Sequence, residues 1–218
     1  QTFEIVSSLE LGENNSAALN GTSPIVKQDY MPYSFSENGQ VDAQVVFAGY
    51  GFDIKNDSLT WNDYTDIDVT GKWAMILRGD PELDDANSPF AAFSTLRKKV
   101  FVAKDRGAAG VIFVNGGEFD AKDELPDLLI KDSHISVGIP VIQLKKTQAD
   151  EILKSQNVTV DSLEKQLNAG TPIGLATDVK LNALVNVHKV RKPTQNVVAL
   201  LPGSDPLLKD EFIIVGAP

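Results

Sequence analysis

The sequence predicts an α/β fold, and three observations carry that prediction. Uninterrupted apolar runs, Val45-Val46-Phe47-Ala48 and Trp73-Ala74-Met75-Ile76-Leu77, suit strands covered on both faces. Phe93, Leu96, Val100 and Ala103 fall at helical spacing. That segment passes through Gly107 into another apolar run, Gly110-Val111-Ile112-Phe113-Val114. Helix followed at once by buried strand is the grammar of α/β domains.

The elements follow in order. Phe3, Ile5, Leu9 and Leu11 alternate with Glu4, Ser8 and Glu10, the period of a half-buried strand. Glu13-Asn14-Asn15-Ser16 reads as a turn into a second strand at 17–19. A polar connector containing Tyr30-Met31-Pro32-Tyr33 comes next, and Pro32 argues against regular structure there. The strand at 41–48 ends in Gly49-Tyr50-Gly51, and a loop with Trp61, Asp63 and Tyr64 leads to 73–77. Arg78-Gly79-Asp80-Pro81 closes that strand with turn chemistry.

Gly107 stands where the residue after a helix belongs, and Asn115-Gly116-Gly117 turns the chain after 110–114. Ile139-Pro140-Val141-Ile142-Gln143-Leu144 is the next strand. Thr147 with Asp150 gives a capping-box-like start to a short helix through Leu153. Asp161 with Glu164 repeats the device before Leu163 and Leu167, and Gly170 ends that helix. Val179, Leu181, Ala183, Val185 and Val187 then alternate with Lys180, Asn182, Asn186 and His188, predicting one long amphipathic strand. Further strands are expected at 196–201 and 211–215, separated by Pro202-Gly203-Ser204-Asp205-Pro206. There is no internal repeat, and the seams fall near residues 40 and 177.

The totals narrow the function. At 218 residues the chain exceeds the common domain size of about 100–150, so one large domain, or one with flanking elements, is expected. A net charge of −10 argues against nucleic acid and anionic membrane surfaces, both of which call for a basic face. The absence of cysteine rules out disulfides, thiol nucleophiles and cysteine-ligated zinc. No stretch approaches the roughly 18–20 apolar residues of a spanning helix, so no membrane insertion is expected. The start, Gln1-Thr2-Phe3, is not a signal peptide; it fits a mature end left by cleavage or a boundary set by cloning. Sequons begin at Asn14, Asn20, Asn56 and Asn157 and matter only in a glycosylating host.

Candidate chemistry is thin. His134 and His188 are the two histidines, and no H-x-x-x-H or H-E-x-x-H spacing joins them as metal ligands. Asp80, Glu82, Asp84 and Asp85 suggest a cation loop, but Asp85 stands where an EF-hand needs glycine and Ala91 where it needs glutamate. A solvated acidic loop is the expectation. Gly49-Tyr50-Gly51 lacks the third glycine and following helix of a dinucleotide fingerprint, and Gly203-Ser204-Asp205 is no nucleophile elbow. Trp61, Tyr64 and Tyr50 are loop aromatics that either anchor a ligand or cap the sheet, with packing favoured. No catalytic, cofactor-binding or metal-ligating residue is assigned.

Val45 to Gly51, then Trp61-x-Asp63-Tyr64, then Val69 to Gly79, resemble the protease-associated (PA) domain. So do Lys104-x-Arg106-Gly107-Ala108-Ala109-Gly110-Val111-Ile112 and Gly138-Ile139-Pro140-Val141-Ile142. The resemblance covers about residues 41–177. It implies a swivelling β/β/α domain, a curved sheet or open barrel with short flanking helices, with flanking strands beside it. On this division residues 1–40 form an N-terminal hairpin and connector, 41–177 the PA domain, and 178–218 strands of a following domain.

The tail, Gln195-Asn196-Val197-Val198-Ala199-Leu200-Leu201-Pro202-Gly203-Ser204-Asp205 and then Asp210 to Ala217, is similar to the opening of two-zinc aminopeptidases of metallopeptidase family 28. That family carries a PA domain inserted early in a zinc-peptidase domain, and in it the Gly-Ala pair precedes a zinc-binding H-x-D motif. Here Pro218 takes the histidine's place, just past the apolar run Phe212-Ile213-Ile214-Val215, and the chain stops. The resemblance therefore implies no cofactor in this chain and zinc in a parent peptidase, with metal-bound water as nucleophile and a glutamate base.

The expected role is a non-catalytic PA module that covers the active site or binds substrate. Its partners would be a peptide or protein substrate and its own catalytic domain, and its location extracellular or periplasmic. The alternative is a free-standing protein- or glycan-binding PA module.

Overall fold

The uninterrupted apolar runs become the centre of one sheet. The computed structural model describes residues 2–83, 85–133, 135–201, 204–205 and 211. Strands β1 (Thr2–Leu11), β2 (Ser16–Leu19) and β3 (Tyr30–Pro32) precede the long β4 (Gly39–Ala48). The short β5 (Asp53–Lys55) and β6 (Thr60–Asn62) form a separate hairpin before β7 (Trp73–Leu77). Helix α1 (Leu96–Asp105) leads to β8 (Gly110–Val114), and β9 (Val141–Leu144) leads to helices α2 (Lys146–Leu153) and α3 (Val160–Asn168). Strands β10 (Gly174–Val185) and β11 (Val187–Gln195) are the last strands among the described residues.

Seven strands lie side by side in the order β2-β10-β4-β7-β8-β9-β3. The four central strands, β4, β7, β8 and β9, are parallel, and the outer pairings are antiparallel. The result is a curved, half-barrel mixed sheet flanked by short helices, the swivelling β/β/α architecture that the resemblance implied.

Period-two alternation divides each central strand between two cores. Phe47, Trp73, Met75, Leu77, Ile112 and Ile142 point to the side covered by Ile152 and Leu153 of α2 and Leu163 and Leu167 of α3. Val46, Ala74, Ile76, Val111, Phe113 and Val141 point to the side covered by Val100 and Ala103 of α1. All of β7, β8 and β9 is buried. At about 1.5–3 kcal/mol for each large apolar side chain removed from water, this double layer is the main source of stability.

Several local expectations need correction. Pro32 does not exclude regular structure: β3 is an edge strand, antiparallel to β9, where a missing N–H can face outward at no cost. The capping boxes at Thr147 and Asp161 do not form. Helix α2 starts at Lys146, whose amide donates to the Asp123 carboxylate at 2.7 Å. The box at α3 is made by Thr159 and Ser162, while Asp150 accepts from the Val160 amide at 2.8 Å.

The amphipathic strand expected across 179–188 breaks at Asn186, where Asn15 takes the backbone bonds. Asn15 Oδ1 accepts from the Asn186 amide at 2.8 Å, and Asn15 Nδ2 donates to the Asn186 carbonyl at 2.7 Å. Beyond the break, β11 leaves the sheet and pairs with β1 as a two-stranded ribbon. Phe3 and Ile5 of that ribbon are exposed, so β1 is less buried than its alternation suggested.

The expected strand at 196–201 has no regular structure. The β1 ladder ends at the Thr2–Gln195 pair, and Val197 and Leu201, 89% and 93% exposed, find no strand partner among the described residues. The strand expected at 211–215 lies outside the described residues, apart from Glu211.

Candidate functional site

The chain leaving the carboxyl ends of the parallel strands β7 and β8, with the segment after the antiparallel β3, builds a cleft. In open α/β sheets this edge is where ligands bind, because loops diverge there and leave a crevice. The cleft has a volume of about 820 Å³, within the range of small-ligand sites. Its buried and half-buried lining includes Tyr33 and Phe35 after β3, Arg78 after β7, Leu96 at the start of α1, and Phe119 and Asp120 after β8. Its exposed lining includes Lys122, Glu124, Asp127 and Leu129 from the long β8–β9 connection.

That connection is irregular but tied down at both ends. Buried Asn115 donates from Nδ2 to the Asp120 carboxylate at 2.9 Å and to the Glu124 carbonyl at 3.2 Å. Gln143, fully buried on β9, donates to the same Glu124 carbonyl at 2.7 Å and accepts from the Tyr33 hydroxyl at 2.6 Å. From the other side Glu164 of α3 accepts from the Glu118 and Phe119 amides at 2.9 and 3.1 Å. A Cβ at Gly116 would lie 1.9 Å from Glu164 Oε1, so glycine is what allows the carboxylate so close. Every bond converts loop backbone into fixed structure, which is what a preformed site requires.

Arg78 is the cation of the cleft. Its Nη1 donates to Asn115 Oδ1 at 3.1 Å, and its guanidinium lies 5.3 Å from the centre of the Phe119 ring. Its Nε–H is buried without a hydrogen-bond partner among the described residues. Burial drives the Tyr33 phenol well above its ordinary range, and nearby Arg78 pulls it back in part.

The residues singled out by sequence sit elsewhere and act as scaffold. Trp61, Tyr64 and Tyr50 are buried and cap the sheet, away from the cleft. Trp61 packs edge-on against Phe90, and Tyr50 stacks with Phe52. Asp63 is the polar centre of this corner. Its Oδ1 accepts from Trp61 Nε1 at 2.9 Å and its Oδ2 from the Phe52 amide at 3.0 Å. Burial pushes its carboxyl up to about 7, against those donors and the charge of Lys99. Gly49, at φ +47°, passes so near that a Cβ would lie 2.3 Å from Asp63 Oδ1. The Gly49-Tyr50-Gly51 motif is thus a close-approach turn with no bearing on nucleotides.

The acidic group is dispersed as well. Asp80 is fully buried and accepts from the Glu82 amide at 2.8 Å, while Asp85 accepts from the Asn87 amide at 2.9 Å. Lys99, equally buried, donates to the Leu77 carbonyl at 3.0 Å and to that of Gly79. Asp84 and His134 lie outside the described residues, and His188 is exposed on β11 opposite Glu10. Ser204 and Asp205 are exposed, and Pro202, Gly203 and Pro218 lie outside the described residues. Among the described residues no three His, Cys, Asp or Glu side chains are grouped to hold a metal ion, and no helix is long and apolar enough to cross a membrane.

Sequence reading missed Arg78, Tyr33, Asn115 and Phe119 as a group. The one available signal was position: Arg78 ends an apolar run that also ends a parallel strand.

Similarity to known proteins bears on the fold. Residues 41–152 match the family described as PA domain. The aminopeptidase from Aneurinibacillus sp. strain AM-1 superposes with a TM-score of 0.50 at 17% identity, over 89% of this chain and 35% of its own. A zinc aminopeptidase from Bacillus subtilis superposes with a TM-score of 0.48 at 21% identity, over 88% of this chain and 34% of its own. The chain therefore spans about a third of the length of these two structures. No curated protein sequence matches it. The match across the central strands, on a curved sheet flanked by short helices, means that the chain belongs to the PA-domain family.

Proposed function

We propose that this chain is a non-catalytic PA module of a zinc-dependent aminopeptidase and that its cleft receives peptide or protein. The cleft carries the proposal: a preformed crevice at the carboxyl ends of parallel strands, with a fixed cation and apolar walls. The fold shared with the Aneurinibacillus aminopeptidase supports the link to a peptidase. No residue of this chain is given a catalytic role; zinc and its ligands belong to the parent's catalytic domain. Residues 41–177 form the module, with 1–40 and 178–218 as flanking elements, and the parent acts outside the cell or in the periplasm.

A second reading, a free-standing protein- or glycan-binding module, draws on the place of Arg78 and Phe119 within residues 41–152, which match the PA domain. The test is the full product of the source gene, assayed on aminoacyl substrates with and without a chelator beside the 218-residue chain. Chelator-sensitive hydrolysis by the full product only is the expected result. Hydrolysis by the 218-residue chain overturns the non-catalytic role, and an inactive full product favours the free-standing module.

A further inference from the structure

We infer that the cleft is a carboxylate site, in which Arg78 anchors the carboxylate of an extended peptide. This rests on reading the chain as a peptide-binding module, and it names the group that is bound.

Arg78 is positioned but not neutralised. Nη1 is held by Asn115, and the guanidinium is stacked on Phe119. That is its only side-chain hydrogen bond among the described residues, and it makes no ion pair with them. The unused edge is the one formed by Nε and Nη2, the fork that binds a carboxylate through two parallel N–H bonds. Nε–H on that edge is already buried and lacks an acceptor. A desolvated donor is unfavourable until something accepts from it, so an arriving carboxylate oxygen gains more here than at a hydrated arginine.

Two further features favour an anion beside Arg78. Leu96, on the cleft wall, is the first residue of α1, whose N-cap Thr95 makes no side-chain capping bond. The positive end of the helix dipole is therefore uncapped by any side chain. The first turn of α1 holds no acid; it holds Arg97, which donates to the Ile135 and Asp132 carbonyls, and Lys98 and Lys99, which donate to the Ala92, Leu77 and Gly79 carbonyls away from the cleft lining. Basic residues at this end oppose the dipole and add nothing to helix stability.

The outer lining has the opposite sign. Glu124 and Asp127 are exposed, and Asp132 and Asp120 are half-buried; the Asp120 carboxylate is engaged by Asn115 Nδ2 at 2.9 Å. A compact polyanion is repelled there. A peptide with one carboxylate inward and amide or cationic groups outward matches both zones, and Tyr33, Phe35 and Leu96 supply apolar contact for a side chain.

The experiment is an NMR titration of the 218-residue chain with acetyl-Ala-Ala-Leu-Ala-Leu, as free acid and as C-terminal amide. The acid is expected to bind at least about tenfold more tightly, as loss of a charge-assisted bidentate contact implies. Saturation should shift the Arg78 Nε–H resonance, and R78Q should erase the difference between the two peptides. A third peptide, acetyl-Ala-Ala-Glu-Ala-Leu amide, identifies the source. Binding as tight as the acid assigns the site to side-chain carboxylates, and weak binding assigns it to chain ends.

Equal binding of acid and amide by the wild-type chain overturns the inference, as does binding of neither at about millimolar peptide. Inorganic phosphate binding as tightly as the acid overturns the assignment to peptide. The wild-type comparison stands whether or not R78Q folds, and none of these outcomes alters the peptidase assay above.

Discussion

Two corners of the molecule hold an ionisable group beside a strand-ending turn, and they use it in opposite ways. At the end of β4, Asp63 is enclosed: both carboxylate oxygens accept from donors of its own loop, and Gly49 closes over it. At the end of β7, Arg78 is fixed by Asn115 and Phe119 and lines the cleft, its Nε–H buried without an acceptor among the described residues. A group whose partners are all internal stabilises a turn. A group held by part of its hydrogen-bonding capacity, with the rest unmet, is available to a ligand. Both corners lie within residues 41–152, which match the family, so membership alone does not tell a lock from a candidate site.

The largest effect that sharpens this contrast is expected for D63A. It leaves the Trp61 indole N–H and the Phe52 amide without acceptors in a buried corner. The loss in unfolding free energy should be about 3 kcal/mol, from two orphaned donors at about 1–3 kcal/mol each. Chemical denaturation measures it, and a loss below about 1 kcal/mol would show that the corner is not the lock described here. G49A should follow at about 2 kcal/mol, because alanine at φ +47° is strained and its Cβ meets Asp63. D63A and G49A act on one contact, so the double variant should cost clearly less than the two losses added.

The same corner should make stability depend on pH. Folding raises the Asp63 carboxyl from 3.8 to about 7, so between these values the folded state holds a proton that the unfolded chain releases. Its contribution is therefore full below about pH 4, declines as pH rises, and is gone above about pH 7. D63N cannot titrate there. The difference in stability between wild type and D63N should fall by up to about 1.4 kcal/mol per pH unit across that window. A difference that stays flat from about pH 4 to 7 would mean that the carboxylate is held charged throughout.

How much of this was legible follows from where each signal resides. Strands β7 and β8 were readable to the residue, since five apolar residues in a row buried on both faces leave little choice of register. Gly107 marked the end of α1 correctly, at φ +85°. The helix starts were misread because Asp150 and Glu164 spend their carboxylates on other elements, Val160 and the Glu118–Phe119 backbone, where local spacing sees nothing. Pro32 was misread because its effect depends on whether its strand lies at an edge, a property of the whole sheet. The run at 196–201 has strand composition, yet pairing requires a neighbour that sequence does not reveal. The cleft was least legible of all. Arg78, Asn115, Phe119 and Tyr33 come from three separate connections and share no motif.

R78Q should give the smallest change in stability, and that smallness is what separates the two corners. The substitution removes one hydrogen bond to Asn115 and one ring contact with Phe119. It also removes an unmet buried donor, the Nε–H, whose desolvation opposes folding. These terms nearly cancel, so the loss should stay within about 1 kcal/mol, a shift of only about 2–4 °C in Tm for a chain of this size. A loss comparable to that of D63A would make Arg78 as much a structural lock as Asp63. A small loss with the carboxylate preference abolished is what a group stationed for a ligand must show, since its free energy is realised only when the ligand arrives.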